Sequence, residues 1–289
     1  MKLLLKRARP QKVNTMSRRR DFSENGPSEQ RGNVERDPQY VVALERAFAI
    51  LRSFRAQDSD LSNTELAART GYTKPLVSRM TNTLTRLGYL TYAERTGTYS
   101  LAAGLIALSA PLLTGLSLRE RARPLMRELA DQCGSSLILS APSAITMTYV
   151  EHVPGSAAVI LQFALGSQAP MECTAMGRAY LASLDDDALA RQLSLLGEAG
   201  VLDKGIEKGI TDAIADVHRD GYCISLGGWR EHINAVATPL RFPGSTMPLV
   251  LSCGGPSFAL EDDAMRNQIG PELVQIAREL GAEPTRQAA

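Results

Sequence analysis

A two-domain α+β chain, with a winged helix-turn-helix at its N-terminal end, is predicted from three observations: its length, a change of charge near Leu101, and the order of its apolar patterns. At 289 residues it exceeds one compact module, since domains commonly hold about 100–200 residues. Residues before Leu101 hold 18 Lys and Arg against 10 Asp and Glu, and the remainder holds 14 against 21. A net charge of +1 therefore conceals a basic first third and an acidic rest, which suggests one part that meets a polyanion and another that does not. Much of the excess lies before Tyr40, so charge alone does not carry the reading. With 44% hydrophobic and 22% charged residues, the composition is that of an ordinary soluble globular protein.

Residues 1–38 have almost no periodic apolar pattern and are expected to be a disordered basic tail. Arg18-Arg19-Arg20 could touch phosphates or simply be solvated, and Met16 leaves a later translation start open. The apolar run Leu3 to Leu5 is too short for a signal peptide, which, with the scattered cysteines, fits a reducing cytoplasm. From Tyr40, Val41, Leu44, Ala47, Phe48, Leu51 and Phe54 recur at helical spacing and predict a first helix. Ser62 followed by Glu65 has the spacing of a capping box, with a short second helix burying Leu66 and Ala67 and stopping at Gly71. A third helix should start at Thr73, whose hydroxyl can cap it, tolerate Pro75 in its first turn, and bury Val77, Met80, Leu84 and Leu87 up to Gly88. Residues 89–92 and 98–101 read as two strands around Thr96-Gly97. Helix, helix, turn, helix, hairpin over residues 39–101 is the order of a winged helix-turn-helix.

Residues 102–117 are read as a linker and dimerisation helix, with Leu105, Ile106, Leu108, Leu112 and Leu113 available to a second copy. The uncharged run Thr96 to Leu118 is long enough to span a bilayer, but its Gly, Ser, Thr and Pro content favours a buried or interface helix and no membrane partner. The second domain, 118–282, opens on a helix carrying Leu118, Ala122, Leu125 and Leu129 on one face and is followed by a tail, 283–289. Strands are expected at 136–141, 146–153, 157–163, 222–226, 233–241 and 247–253, and helices near 174–184, 186–196, 207–220 and 261–280. Hairpin-like strands with inserted helices predict an α+β domain with a mainly antiparallel sheet.

On the third helix, Lys74, Ser78, Arg79 and Asn82 point away from the apolar stripe. Arg pairs bidentately with guanine and Asn with adenine, while Thr73, Lys74 and the wing residues Arg95 and Thr98 suit phosphates. A single polar helix face has a plain alternative, solvent exposure, and it is the whole order of elements that favours double-stranded DNA as partner. An enzyme would use Cys173 or Cys223 with His152 or His232, but no spacing supports it. Without a CxxC pair or histidines at ligand spacing, neither a metal nor a cofactor is expected. A DNA-binding or partner-binding module without a ligand remains open, since the small residues Gly166, Ser167, Ala175, Gly254 and Gly255 can make space or allow close packing.

From about Tyr40 to Ala282 the chain resembles the IclR (isocitrate lyase regulator) family of bacterial transcription factors. The carrying residues are 43–47 (Ala-Leu-Glu-Arg-Ala), 64–67 (Thr-Glu-Leu-Ala) with Thr70-Gly71, and 87–90 (Leu-Gly-Tyr-Leu). Further on come 166–171 (Gly-Ser-Gln-Ala-Pro-Met), 174–179 (Thr-Ala-Met-Gly-Arg-Ala), Gly221-Tyr222 and 251–256 (Leu-Ser-Cys-Gly-Gly-Pro). The resemblance implies a regulator of a catabolic operon with a GAF/PAS-like effector domain, a ligand pocket on one face of its sheet, and dimers or tetramers on partly palindromic operators. It places pocket positions at Ala175, Met176, Ser225, Ile233, Ala235, Ser252 and Gly254. Better-known members often carry Cys where Ala235 stands and Ser where Gly254 stands, and members with polar groups there hold small hydrophilic acids. The expected effector is accordingly an aromatic or other ring-bearing carboxylic acid in a larger, less polar cavity. Trp229 beside Arg230 reads either as an aromatic wall with a cationic partner or as an anchor for a surface loop.

Overall fold

The computed structural model describes residues 39–55, 58–115, 117–156, 164–242 and 248–282, without the side chains of 111–117. Both tails, the strand expected at 157–163, and the side chains of Leu112 and Leu113 lie outside the described residues.

The N-terminal unit is built from α1 (Val42–Arg52), β1 (Leu61–Ser62), α2 (Asn63–Thr70), α3 (Lys74–Arg86), β2 (Leu90–Ala93) and β3 (Thr98–Leu101). Its core gathers Ile50, Leu61, Leu66, Val77, Leu84, Leu90 and Tyr99. The capping box forms: the Ser62 hydroxyl accepts from the Glu65 N–H at 3.3 Å, and the Glu65 carboxylate accepts from the Ser62 N–H at 2.8 Å. Gly71 ends α2 at φ +68°, a left-handed conformation that glycine adopts without a Cβ penalty. Arg69 on α2 donates to Asp58 and to the Ser53 carbonyl, holding the Asp58 carboxyl at about 2 and linking both residues to α2.

Several local expectations need correction. Thr73 stands at the N-cap of α3, but its hydroxyl makes no capping hydrogen bond. Pro75 removes one of the two N–H groups, at the second and third helical positions, that such a side chain can reach. Leu87 is 62% exposed, because α3 stops at Arg86 and the inward position falls instead to Thr81, whose hydroxyl lies 3.1 Å from Asn63 Oδ1 of α2. On α1 the face turned inward is Ala47, Ile50 and Leu51, with Phe54 just beyond its end, whereas Leu44 and Phe48, and Val41 before its start, are exposed. Two short helices and a small sheet cover only one side of α1. The wing is three-stranded in the order β1-β3-β2, with Leu61 opposite Tyr99; two residues of β1 are too few to show a period.

α4 (Gly104–Gly115) and α5 (Ser117–Cys133) follow, the uncharged run being divided between the wing and α4. A Cβ on Gly104 would lie 2.3 Å from the Gly88 carbonyl oxygen, so glycine permits this close approach of α4 to the end of α3. Beyond α5 a six-stranded antiparallel sheet runs in the order β6-β5-β4-β9-β8-β7. Its strands are β4 (Ser136–Ser143), β5 (Thr146–Val153), β6 (Gln168–Pro170), β7 (Cys223–Leu226), β8 (Ile233–Leu240) and β9 (Leu249–Pro256). β6 was not expected, being three residues on an edge. α6 (Ala175–Ala182), α7 (Asp186–Glu198) and α8 (Lys204–Asp220) separate β6 from β7. The chain closes on α9 (Asp262–Ala264), a π-helical turn (Met265–Ile269) and α10 (Gly270–Glu279).

The sheet is covered on both faces, so every residue of β9 is buried although its side chains alternate. Leu249, Leu251 and Cys253 face Met126 and Leu129 of α5 and Leu273 and Ile276 of α10. Val250 faces the other way, toward the layer of α6 and α8 with Ala179, Ile210 and Val217. Arg119 of α5 donates to the buried Glu151 carboxylate of β5, pinning the start of that helix to the sheet.

Candidate functional site

Two places in the molecule bring the predicted residues together. On α3, Val77, Thr81 and Leu84 turn inward, and Lys74, Ser78, Arg79 and Asn82 are exposed on the opposite side with Thr73 at its start. Thirteen residues make a helix about 20 Å long, a rod that a B-DNA major groove about 12 Å wide admits. Among the described residues no ion pair engages Lys74, Arg79 or the exposed Arg95 at the wing turn, so their charges face solvent uncompensated. Thr98 differs from the rest. Its hydroxyl donates to Asp60 and lies 2.6 Å from the Thr96 hydroxyl, which makes it part of the wing's base and sets a carboxylate beside it. That neighbourhood does not favour a phosphate.

The second place is a cavity between the sheet and α6. Strand register sets Ser225, Ala235 and Gly254 side by side across β7, β8 and β9, with Ser252 next to Ile138 two residues along. Ala175 and Met176 form the first turn of α6 above this floor, and Ile233 completes the seven predicted positions, all of which line the space. Ile138, Tyr149, Thr174 and Trp229 line it too. The empty space including its open mouth is about 420 Å³. The part that the centre of a water-sized sphere can reach is about 30 Å³, room for roughly two waters. The lining is almost wholly apolar, as the small side chains at Ala235 and Gly254 lead one to expect, and Trp229 stands in its wall.

The loop between β7 and β8 brings Trp229 there. Gly227 takes φ +62°, and a Cβ on Gly228 would sit 2.3 Å from Ser225 Oγ and 2.7 Å from the Cys173 carbonyl oxygen. Glycine at both positions lets the loop lie against the approach to α6. The Arg230 guanidinium stacks over the Trp229 ring at 4.7 Å from its centroid, so the wall is backed by a cation. Burial pushes the Tyr149 phenol up, and the positive charge of Arg230 opposes that shift. Tyr149 carries no local signal in the sequence; it shares the face of Met147 along β5 and lies opposite Ser140 of β4, two residues from Ile138.

At the α6 N-terminus, the Thr174 hydroxyl donates to the Pro170 carbonyl at 2.6 Å and accepts from the Gly177 N–H at 3.1 Å. The N–H groups of Ala175 and Met176, the first two of the helix, have no carbonyl partner within it. The nucleophile alternative fares poorly on chemistry. Cys223 is buried, donates to the Ala175 carbonyl at 3.4 Å, and burial pushes its thiol up to about 12, the reverse of an activated thiolate.

Family models match along the chain: the IclR helix-turn-helix domain over residues 43–94 and the bacterial transcriptional regulator IclR C-terminal domain over residues 110–282. The chain is 29% identical over 248 residues to the HTH-type transcriptional regulator TsaQ1/TsaQ2 of Comamonas testosteroni, covering 84% of this chain and 88% of that one. A crystal structure of an IclR family transcriptional regulator from Brucella abortus is 35% identical, with a TM-score of 0.74 over 87% of this chain and 96% of the other. An IclR homologue from Microbacterium hydrocarbonoxydans, solved with 4-hydroxybenzoate, shares the fold at 18% identity and a TM-score of 0.63, over 82% of this chain and 95% of its own. Among the described residues no helix is long and apolar enough to cross a membrane. The exposed face of α3, the pocket beneath α6 and both matching models lead to one conclusion: the chain belongs to the IclR family of bacterial transcriptional regulators, which are not enzymes.

Proposed function

We propose that this regulator binds the operator of a catabolic operon through α3 and the wing, and that a ring-bearing carboxylic acid in the pocket changes its affinity for that operator. The observation that carries the ligand class is the pairing of Ala235 with Gly254 on a floor walled by Trp229 and roofed by the start of α6. Flat apolar surface suits a ring. The Ala175 and Met176 N–H groups and the positive end of α6 suit a carboxylate. The 4-hydroxybenzoate complex is of a distant homologue and contributes the fold alone, so the ligand class rests on this chain's own side chains. The volume of about 30 Å³ that a water can reach is smaller than a ring, so binding one is expected to move the Trp229 loop outward, with the turn at Gly227 and Gly228 as its hinge.

A thermal-shift panel tests the reading. Benzoate-type acids at about 100 times Kd are expected to add about 2.7 kcal/mol of stability, a rise of several degrees in Tm. Glyoxylate and pyruvate should do nothing. A Cβ at Gly254 would meet Ala235 Cβ and the Asn234 carbonyl, each at ordinary contact distance of 3.9 Å, so Gly254→Leu starts without a backbone clash, occupies the cavity and should abolish the response. A response confined to the small acids, or one to ring acids that survives Gly254→Leu, removes the assignment.

The reading includes self-association. Leu44 on α1 is 59% exposed, and Ile106 and Leu108 on α4 are 70% and 56% exposed, more apolar surface than a free linker should show. Pairing these faces about a two-fold axis would present two copies of α3 to successive major grooves about 34 Å apart. Leu108→Glu is expected to shift sedimentation at micromolar concentration from dimer to monomer. A wild-type monomer, or a variant that stays dimeric, counts against this interface.

A further inference from the structure

Two thiols outside the pocket approach each other. Cys133 is the last residue of α5 and Cys253 lies within β9, 120 residues further along the chain, yet their sulfurs are 3.9 Å apart. We propose that Cys133 and Cys253 form an oxidation site at which a peroxide produces an intramolecular disulfide, tying the end of α5 to the strand that floors the pocket.

The two cysteines differ in the way such chemistry needs. Cys133 is half-buried and reachable, whereas Cys253 is buried in the core between the sheet and α5. Hydrogen bonding from the Cys253 thiol holds the Cys133 thiol below the usual range, which favours its thiolate, while that neighbour and burial push Cys253 up. In the first step the Cys133 thiolate attacks one peroxide oxygen. An S–O bond forms, the O–O bond breaks, and the departing hydroxide takes a proton to leave as water. In the second step the Cys253 sulfur attacks the Cys133 sulfenic sulfur. The S–S bond forms, the S–O bond breaks, and hydroxide leaves as water with the proton given up by Cys253. Two thiols and one hydrogen peroxide become one disulfide and two waters.

The sulfurs must close from 3.9 Å to about 2.05 Å, and Cys133 stands where α5 ends, next to the left-handed turn at Gly134 with φ +68°. Cys223, whose buried thiol donates to the Ala175 carbonyl, has no such neighbour. Because Ser252 and Gly254 flank Cys253 and line the pocket on the opposite face of β9, the bond would couple α5 to the pocket strand directly.

The test uses the reduced full chain treated with hydrogen peroxide. The free-thiol count is expected to fall from four to two, non-reducing peptide mapping to find Cys133 joined to Cys253, and dithiothreitol to restore all four. Cys173→Ser should form the same cross-link. Cys253→Ala should leave Cys133 to advance to sulfinic acid; should that variant not fold, Cys133→Ser, at the half-exposed position, should leave Cys253 reduced. Four persisting thiols, a disulfide between two chains, or a wild-type Cys133 that reaches sulfinic acid without the cross-link would each overturn the proposal.

Discussion

Gly177→Ala is expected to lower the melting temperature of the sheet domain by about 10 °C, the largest effect of any single methyl group in the pocket region. A Cβ at this position would stand 2.0 Å from the Met171 carbonyl oxygen and 2.5 Å from the Met171 carbonyl and α carbons. All three are backbone atoms, so no rotamer change relieves the contact, and α6 must move bodily away from the chain leaving β6. Overpacking against backbone costs about 3 kcal/mol or more, and a domain of this size loses roughly 2–4 °C per kcal/mol. The same movement carries Ala175 and Met176 away from the pocket floor, so any ligand response should fall with stability. Gly200→Ala is the comparison: it places a methyl group in open space at φ +67° and should cost only about 1 kcal/mol. Scanning calorimetry of the two variants checks this, and equal melting temperatures would show that α6 does not sit where its backbone contacts put it.

Arg79→Ala is expected to cost about 1–3 kcal/mol on the specific operator, a loss of about 5- to 150-fold in affinity. The reason lies in the helix: with Val77, Thr81 and Leu84 turned to the core, Arg79 and Asn82 are on the side a groove would meet, and among the described residues no carboxylate pairs with Arg79. Lys74→Ala should act differently, weakening binding to all sequences alike and reducing the slope of log affinity against log salt by about one, because a phosphate contact carries charge and no base information. Fluorescence anisotropy over a salt series separates the two. If Arg79→Ala weakened every DNA equally, Arg79 would be a phosphate contact.

Local signals made the N-terminal unit readable. Ser62 with Glu65, Gly71 and Pro75 each fix a helix end through a short-range hydrogen bond, a φ value or a missing N–H, and such causes are written within four residues. What depended on packing across the chain was not readable. Val41, Leu44 and Phe48 have the spacing of a core face, but α1 has too few neighbours to bury them. β1 and β6, of two and three residues, are too short to repeat a pattern and exist because β3 and β5 are there to pair with. The seven pocket positions came from family resemblance, whereas Ile138, Tyr149 and Thr174 reach the pocket through strand register and the seating of α6, which no local spacing states. The Cys133 and Cys253 contact, 120 residues apart, is of the same kind.

Whether α3 reads operator bases is decided by letting the wild-type chain and Arg79→Ala each select their preferred sites from the same random pool of double-stranded DNA. A two-part consensus is expected for the wild type and, for the variant, the same consensus with preference relaxed at one base pair in each half. An unchanged consensus for Arg79→Ala would contradict it, because a side chain that reads a base cannot be removed without the base losing its constraint.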